Sequence, residues 1–172
     1  SREELAAMAK RCELRWDLPG TGSEPSTVSP KDVEKLGLDD NEAAQINAAL
    51  AAEHKRFRDA LRALYVEVTG DEQAADALSP WALSSEIDDK SPKVERKVVY
   101  RRLSRERAGL QQPPAPGAQM SALERLMRLL TSTGDRGEKV VGARVSPDLA
   151  RRLRELHGGW GSKSRSAYGC PR

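Results

Sequence analysis

Bulky strand-forming residues are scarce in this chain of 172 residues, which has one Phe, two Ile and only 4% aromatics. Strands draw on β-branched and aromatic side chains, so this scarcity argues against a sheet-based core. No apolar run approaches the roughly 18–20 residues of a membrane span. No amino-terminal signal peptide is visible, although a start at Ser1 is compatible with a processing boundary. Charge of one sign is also missing: 29 Lys+Arg face 26 Asp+Glu, a net +3. That balance is too small to force disorder and weakens the case for a polyanion-binding protein. There are two histidines and two cysteines. No Cys/His spacing resembles a zinc site, HExxH and G-x-S-x-G are absent, and no catalytic, cofactor or metal signature stands out. The sequence therefore reads as a non-enzymatic protein.

What is present is helix chemistry. The chain holds 22 Ala and 19 Leu and is 32% charged, the composition of an all-α domain. Ser-Pro recurs at Ser29-Pro30, Ser79-Pro80, Ser91-Pro92 and Ser146-Pro147. Ser can cap an orphan N–H, and Pro at the first helical position needs no partner. Capping boxes are legible at Ser1…Glu4, Asp39…Glu42, Ser121…Glu124 and Asp135…Glu138. Gly37, Gly70 and Gly158 sit where helices stop. These marks predict helices near 2–16, 30–36, 40–69, 71–78, 80–88, 92–108, 122–132, 136–143 and 147–157. The longest carries Ile46, Leu50, Phe57, Leu61, Leu64 and Val68 on one face and would run about 45 Å. The expected architecture is a long central helix in a helical hairpin with several short packed helices. Residues 1–157 form one domain, 111–119 are a Pro-rich linker within it, and 158–172 are a Gly/Ser-rich tail.

Cys12 and Cys170 lie near opposite ends. Paired, they would tether the tail, place the protein in an oxidising compartment and stabilise it by about 4–5 kcal/mol in the chain-entropy model. Two free thiols are the alternative. His54 lies beside the apolar face of the longest helix; it reads as a metal ligand or pH switch with Glu53, or more plainly as a hydrogen-bonded histidine at the core edge. His157 precedes Gly158-Gly159 and reads as a helix cap. The Gly158–Ser164 stretch lacks the glycine before Lys-Ser, the strand before it and the helix after it that a phosphate loop needs.

Charge patterning is the most informative functional feature. Residues 93–107 contain Lys93, Arg96, Lys97, Arg101, Arg102, Arg105 and Arg107 against Glu95 and Glu106. Arg101 and Arg105 continue the face begun by Val94 and Val98, and the longest helix adds Arg58 and Arg62. A surface of Arg58, Arg62, Val94, Val98, Arg101, Arg102 and Arg105 could bind a protein partner by apolar contact and charge attraction. The same run also reads as a solvated face whose Arg stems lie over apolar neighbours. Nucleic acid is disfavoured as a partner, because the total charge is balanced and only one Tyr lies in the basic helix. A cytoplasmic nucleic-acid-binding or regulatory protein using the 92–108 helix is the alternative class.

One pattern recurs: Val28-Ser29-Pro30 with Leu36, and Val145-Ser146-Pro147 with Leu153. Independent helix starts with the same cap chemistry, or a duplicated helical-hairpin motif, would each produce it. A long basic helix between two such starts resembles the Spy/CpxP-like group of periplasmic proteins and its CnrX-type metal-sensor relatives. Their helix starts read L-T-x-x-Q; the corresponding stretches here are Val28–Asp32 and Val145–Leu149, neither with the terminal Gln. The several His and Met ligands of the metal sensors are missing too. The composition and the Trp160–Ser166 tail are similar to envelope proteins of GC-rich bacteria such as myxobacteria. The resemblance, over residues 28–157, implies a periplasmic or cell-envelope chaperone-like or sensor/adaptor protein, often dimeric, binding a client or envelope partner without a cofactor.

Overall fold

The computed structural model describes residues 1–11, 24–25 and 27–155; the side chains of Arg2, Leu5, 132–141 and 152–155 are not described. All regular structure among the described residues is helical. It comprises α1 (Arg2–Lys10), α2 (Pro30–Leu36), α3 (Asp40–Thr69), α4 (Glu72–Ala77), α5 (Pro80–Lys90), α6 (Lys93–Arg107), α7 (Ala122–Arg144) and α8 (Pro147–Glu155). Cys12, Cys170, His157, Gly158 and the tail 158–172 lie outside the described residues, and with them the expected disulfide tether.

Local chemistry sets most of the boundaries. The Asp39 side chain accepts from Glu42 N at 2.7 Å, and Glu42 accepts from Asp39 N at 3.1 Å, which closes the capping box of α3. The other end of α3 stops at Gly70, whose φ of 73° favours a residue without Cβ. Ser29, Ser79 and Ser146 cap α2, α5 and α8 as expected, each accepting from the backbone N–H three residues on. Ser91 does not. Its hydroxyl donates back to Ile87 O at 2.8 Å, ending α5, and Pro92 takes the N-cap place of α6 with no side-chain bond. The two-residue connection between α5 and α6 leaves Ser91 available to one helix only.

The second correction concerns α7. A break was expected near residues 133–135, with a new start at Asp135; the helix instead runs unbroken from Ala122 to Arg144 through Gly134 and Gly137. Two mid-helix glycines cost about 1 kcal/mol each. Tertiary packing offsets that cost, because α7 is anchored at both ends on α3. Leu123, Leu126, Met127 and Leu130 of α7 join Phe57, Leu61, Leu64 and Tyr65 of α3 in the larger core, with Ala75, Leu83, Ile87, Val99, Tyr100 and Leu103 from α4, α5 and α6. Beyond the far end of α7, Val145 and the α8 residues Leu149 and Ala150 meet Ile46, Ala49 and Leu50 of α3. The long helices are therefore antiparallel. They are not a simple hairpin, because α4, α5 and α6 are inserted between them in sequence.

Val28 and Leu38 complete the second core. Both copies of the V-S-P pattern thus bring their valine to the same apolar cluster, where Val28 N also donates to Asn47 Oδ1 at 2.8 Å. Between the two cores, the α3 stripe steps from Leu50 to Phe57 through Glu53, which is only 6% exposed and accepts from Arg56 Nε at 2.9 Å. Residues 111–119 form no helix, as their prolines require.

Candidate functional site

The basic helix α6 divides sharply into two sides. Val99, Tyr100 and Leu103 join the larger core, and Ser104 beside them is buried too. Lys93, Val94, Lys97, Val98, Arg101 and Arg105 lie on the exposed side. Arg96 reaches α5: its Nη2 donates to Asp88 O at 2.7 Å, and its Nε lies 3.1 Å from Asp88 Oδ1 without hydrogen-bond alignment. Burial pushes the Asp88 carboxyl above its ordinary range; Arg96 opposes that shift and Asp89 adds to it.

The last turns of α6 are fixed by an ionic ladder on α7. Arg102 Nη1 donates to Glu124 Oε2 at 2.7 Å. Arg128 donates to both oxygens of Glu106 at 2.8 Å and to Glu124 Oε1 from Nη2 at 2.7 Å and from Nε at 3.1 Å. Glu124 is only 3% exposed. Hydrogen bonding to Glu106 is the main reason the Arg128 guanidinium holds its proton more tightly than usual. This inward role explains why Ser121 caps α7 through Glu124 N (3.2 Å) without a reciprocal bond from the Glu124 side chain, so the expected capping box is one-sided.

The structure separates the residues that the sequence grouped. Arg62 grips the Asp76 carboxylate from Nε at 2.6 Å and Nη2 at 3.2 Å, and Arg58 Nη2 lies 3.5 Å from Asp76 O. These two arginines join α3 to α4. Arg102 belongs to the ladder between α6 and α7. Val94, Val98, Arg101 and Arg105 remain together on the outer side of α6. Lys93 and Lys97, which belong to the same basic run, join them there, and their fourfold spacing from Arg101 is the signal that could have placed them. Lys93, Lys97, Arg101 and Arg105 have no ion-pair partner among the described residues. Val94 and Val98 are 76% and 51% exposed. Lys93, Val94, Lys97, Val98 and Arg101 line an open depression of about 450 Å³.

Other chemistry is sparse. Among the described residues, no group of three or more His, Cys, Asp or Glu side chains could hold a metal ion, and no helix is long and apolar enough to cross a membrane. His54 is half-buried on α3 beside the buried Glu53, whose carboxylate is taken up by Arg56. No family model matches the chain, and no curated protein or solved structure compared with it is similar.

Proposed function

We propose that this chain is a non-enzymatic binding domain that holds a protein partner on the outer face of α6, in a chaperone-like or sensor/adaptor role in the bacterial cell envelope. One observation carries the reading: two exposed valines are framed by Lys93, Lys97, Arg101 and Arg105, which have no carboxylate partner among the described residues. The other cations tied into this part of the fold, Arg96, Arg102 and Arg128, each lie against an acidic group. A helix locked on its inner side, with exposed cations and valines on its outer side, suits capture by apolar contact with charge attraction. No covalent step is involved.

The test uses labelled poly-glutamate and poly-lysine as partner probes, read by fluorescence anisotropy. Poly-glutamate should bind the full chain and poly-lysine should not. Binding should fall steeply between about 0.1 M and 1 M salt, as the screening length drops from about 10 Å to about 3 Å. The Lys97→Glu/Arg101→Glu variant should lose most of it. Binding unchanged by that double reversal would remove α6 from the account. The envelope setting rests on pairing of Cys12 with Cys170 and has its own test. Thiol titration of the denatured, unreduced protein should find none free, and two reactive thiols would overturn that setting.

A further inference from the structure

The exposed groups of α6 form two adjacent rows. Lys93, Lys97, Arg101 and Arg105 recur at every fourth residue, so they rise about 6 Å per step along the axis. Val94 and Val98 form a shorter row beside them with the same spacing. A complementary partner must match both the sign and the repeat.

Several partner classes match poorly. A second copy of this chain docking α6 against α6 would set the four cations against their own equivalents. Single-stranded nucleic acid relies on stacking against exposed rings, yet Tyr100, the one aromatic of α6, is only 3% exposed. Bilayer-seeking helices carry Trp, Phe or Leu on the inserted face, whereas this face offers two valines. Another α-helix repeats its side chains at the same rise, and where it crosses α6 so that the two inclined fourfold rows run together, its carboxylates would meet the cation row step for step.

We propose that α6 docks an acidic amphipathic α-helix of a partner protein, lying along residues 93–105, with Asp or Glu at every fourth position facing Lys93, Lys97, Arg101 and Arg105 and small apolar side chains over Val94 and Val98. This rests on the reading of α6 as a protein-docking face and adds the conformation and charge spacing of what it takes. The surrounding ties hold the rows in place: Arg96 pins the first turns to α5, and Arg102 and Glu106 pin the last turns to α7. The docking face is therefore formed before the partner arrives.

Two synthetic peptides of identical composition test the proposal by anisotropy and circular dichroism. One places Glu at every fourth position with Ala and Leu alongside; the other shuffles the same residues so that Glu falls on all sides. The patterned peptide should bind about tenfold more tightly and gain helicity on binding. Lys97→Glu/Arg101→Glu should abolish that preference, and a patterned peptide with Lys only at the two positions opposite residues 97 and 101 should restore binding to the reversed variant. Lys97 and Arg101 are exposed, so the far-ultraviolet spectrum of the double variant should match that of the parent. Equal binding of the two peptides, both weakened by the reversal, would overturn helical docking while leaving α6 a docking face. Binding of both that ignores the reversal would sink the docking face as well. A short DNA duplex that displaces the patterned peptide at equal charge concentration would assign the cations to phosphates and overturn the proposal.

Discussion

Arg128→Met is the sharpest perturbation of the scaffold beneath α6. Arg128 donates to both oxygens of Glu106 and to Glu124, and among the described residues it is the one cation paired with Glu106. Its loss leaves the Glu106 side chain, 8% exposed, without a counter-charge, while Glu124 keeps Arg102 at 2.7 Å. Stranding a buried charge costs about 3–5 kcal/mol. With a urea dependence of about 2 kcal/mol per M, the unfolding midpoint should fall by about 1.5–2.5 M. Arg102→Met is the control. Glu124 then keeps Arg128, and Arg102 is itself 38% exposed, so the loss should be about 1 kcal/mol. Combining Arg128→Met with Glu106→Leu removes the stranded charge along with its partner and should recover most of the deficit. Urea titrations followed by far-ultraviolet circular dichroism measure all three. Equal midpoints for Arg128→Met and Arg102→Met, or a double variant weaker than Arg128→Met alone, would refute the ladder as a buried network.

Glu53→Leu should leave stability unchanged or raise it by up to about 2 kcal/mol, because it joins the two cores and frees Arg56, whose side chain is 47% exposed, to solvent. A loss of more than about 1 kcal/mol in a urea titration would show that the Glu53–Arg56 pair holds α3 together. Asp88 supplies a pH test. Its raised carboxyl means that the folded chain keeps that proton to higher pH than the unfolded chain does. Stability should therefore fall as pH rises from about 3.9 through the raised folded value, and Asp88→Asn should flatten that segment of the profile. Glu67 and Asp76 act the other way: hydrogen bonds from Arg125 and Arg62 hold them below the usual carboxylate range, so their contribution is lost as pH falls through those lowered values. An Asp88→Asn profile parallel to the parent would remove Asp88 as the source of the slope.

Where one residue's chemistry decided the outcome, the fold was legible in sequence. Asp39 and Gly70 bracket α3 at the expected positions because a capping box and a left-handed glycine act within a turn. The antiparallel pairing of α3 with α7 was not legible, nor was the continuity of α7 through Gly134 and Gly137. Both depend on contacts between segments distant in sequence, which local propensity does not encode. Glu53 shows the same limit: the seven-residue gap between Leu50 and Phe57 drew attention to His54, yet it is Glu53 that the stripe buries. At the candidate site, Val94, Val98, Arg101 and Arg105 were found from helical spacing alone. Arg58, Arg62 and Arg102 looked equivalent to them because sequence shows a charge but not its partner; Asp76 lies 14 residues from Arg62, and Glu124 lies 22 from Arg102.

The most direct test of the account is a backbone amide map of the chain as the patterned acidic peptide is added. Chemical-shift changes should concentrate on residues 93–105, be largest beside Val94, Lys97, Val98 and Arg101, and vanish in Lys97→Glu/Arg101→Glu. Changes centred on Arg58 and Arg62, or spread evenly over the molecule, would contradict a docking face on α6.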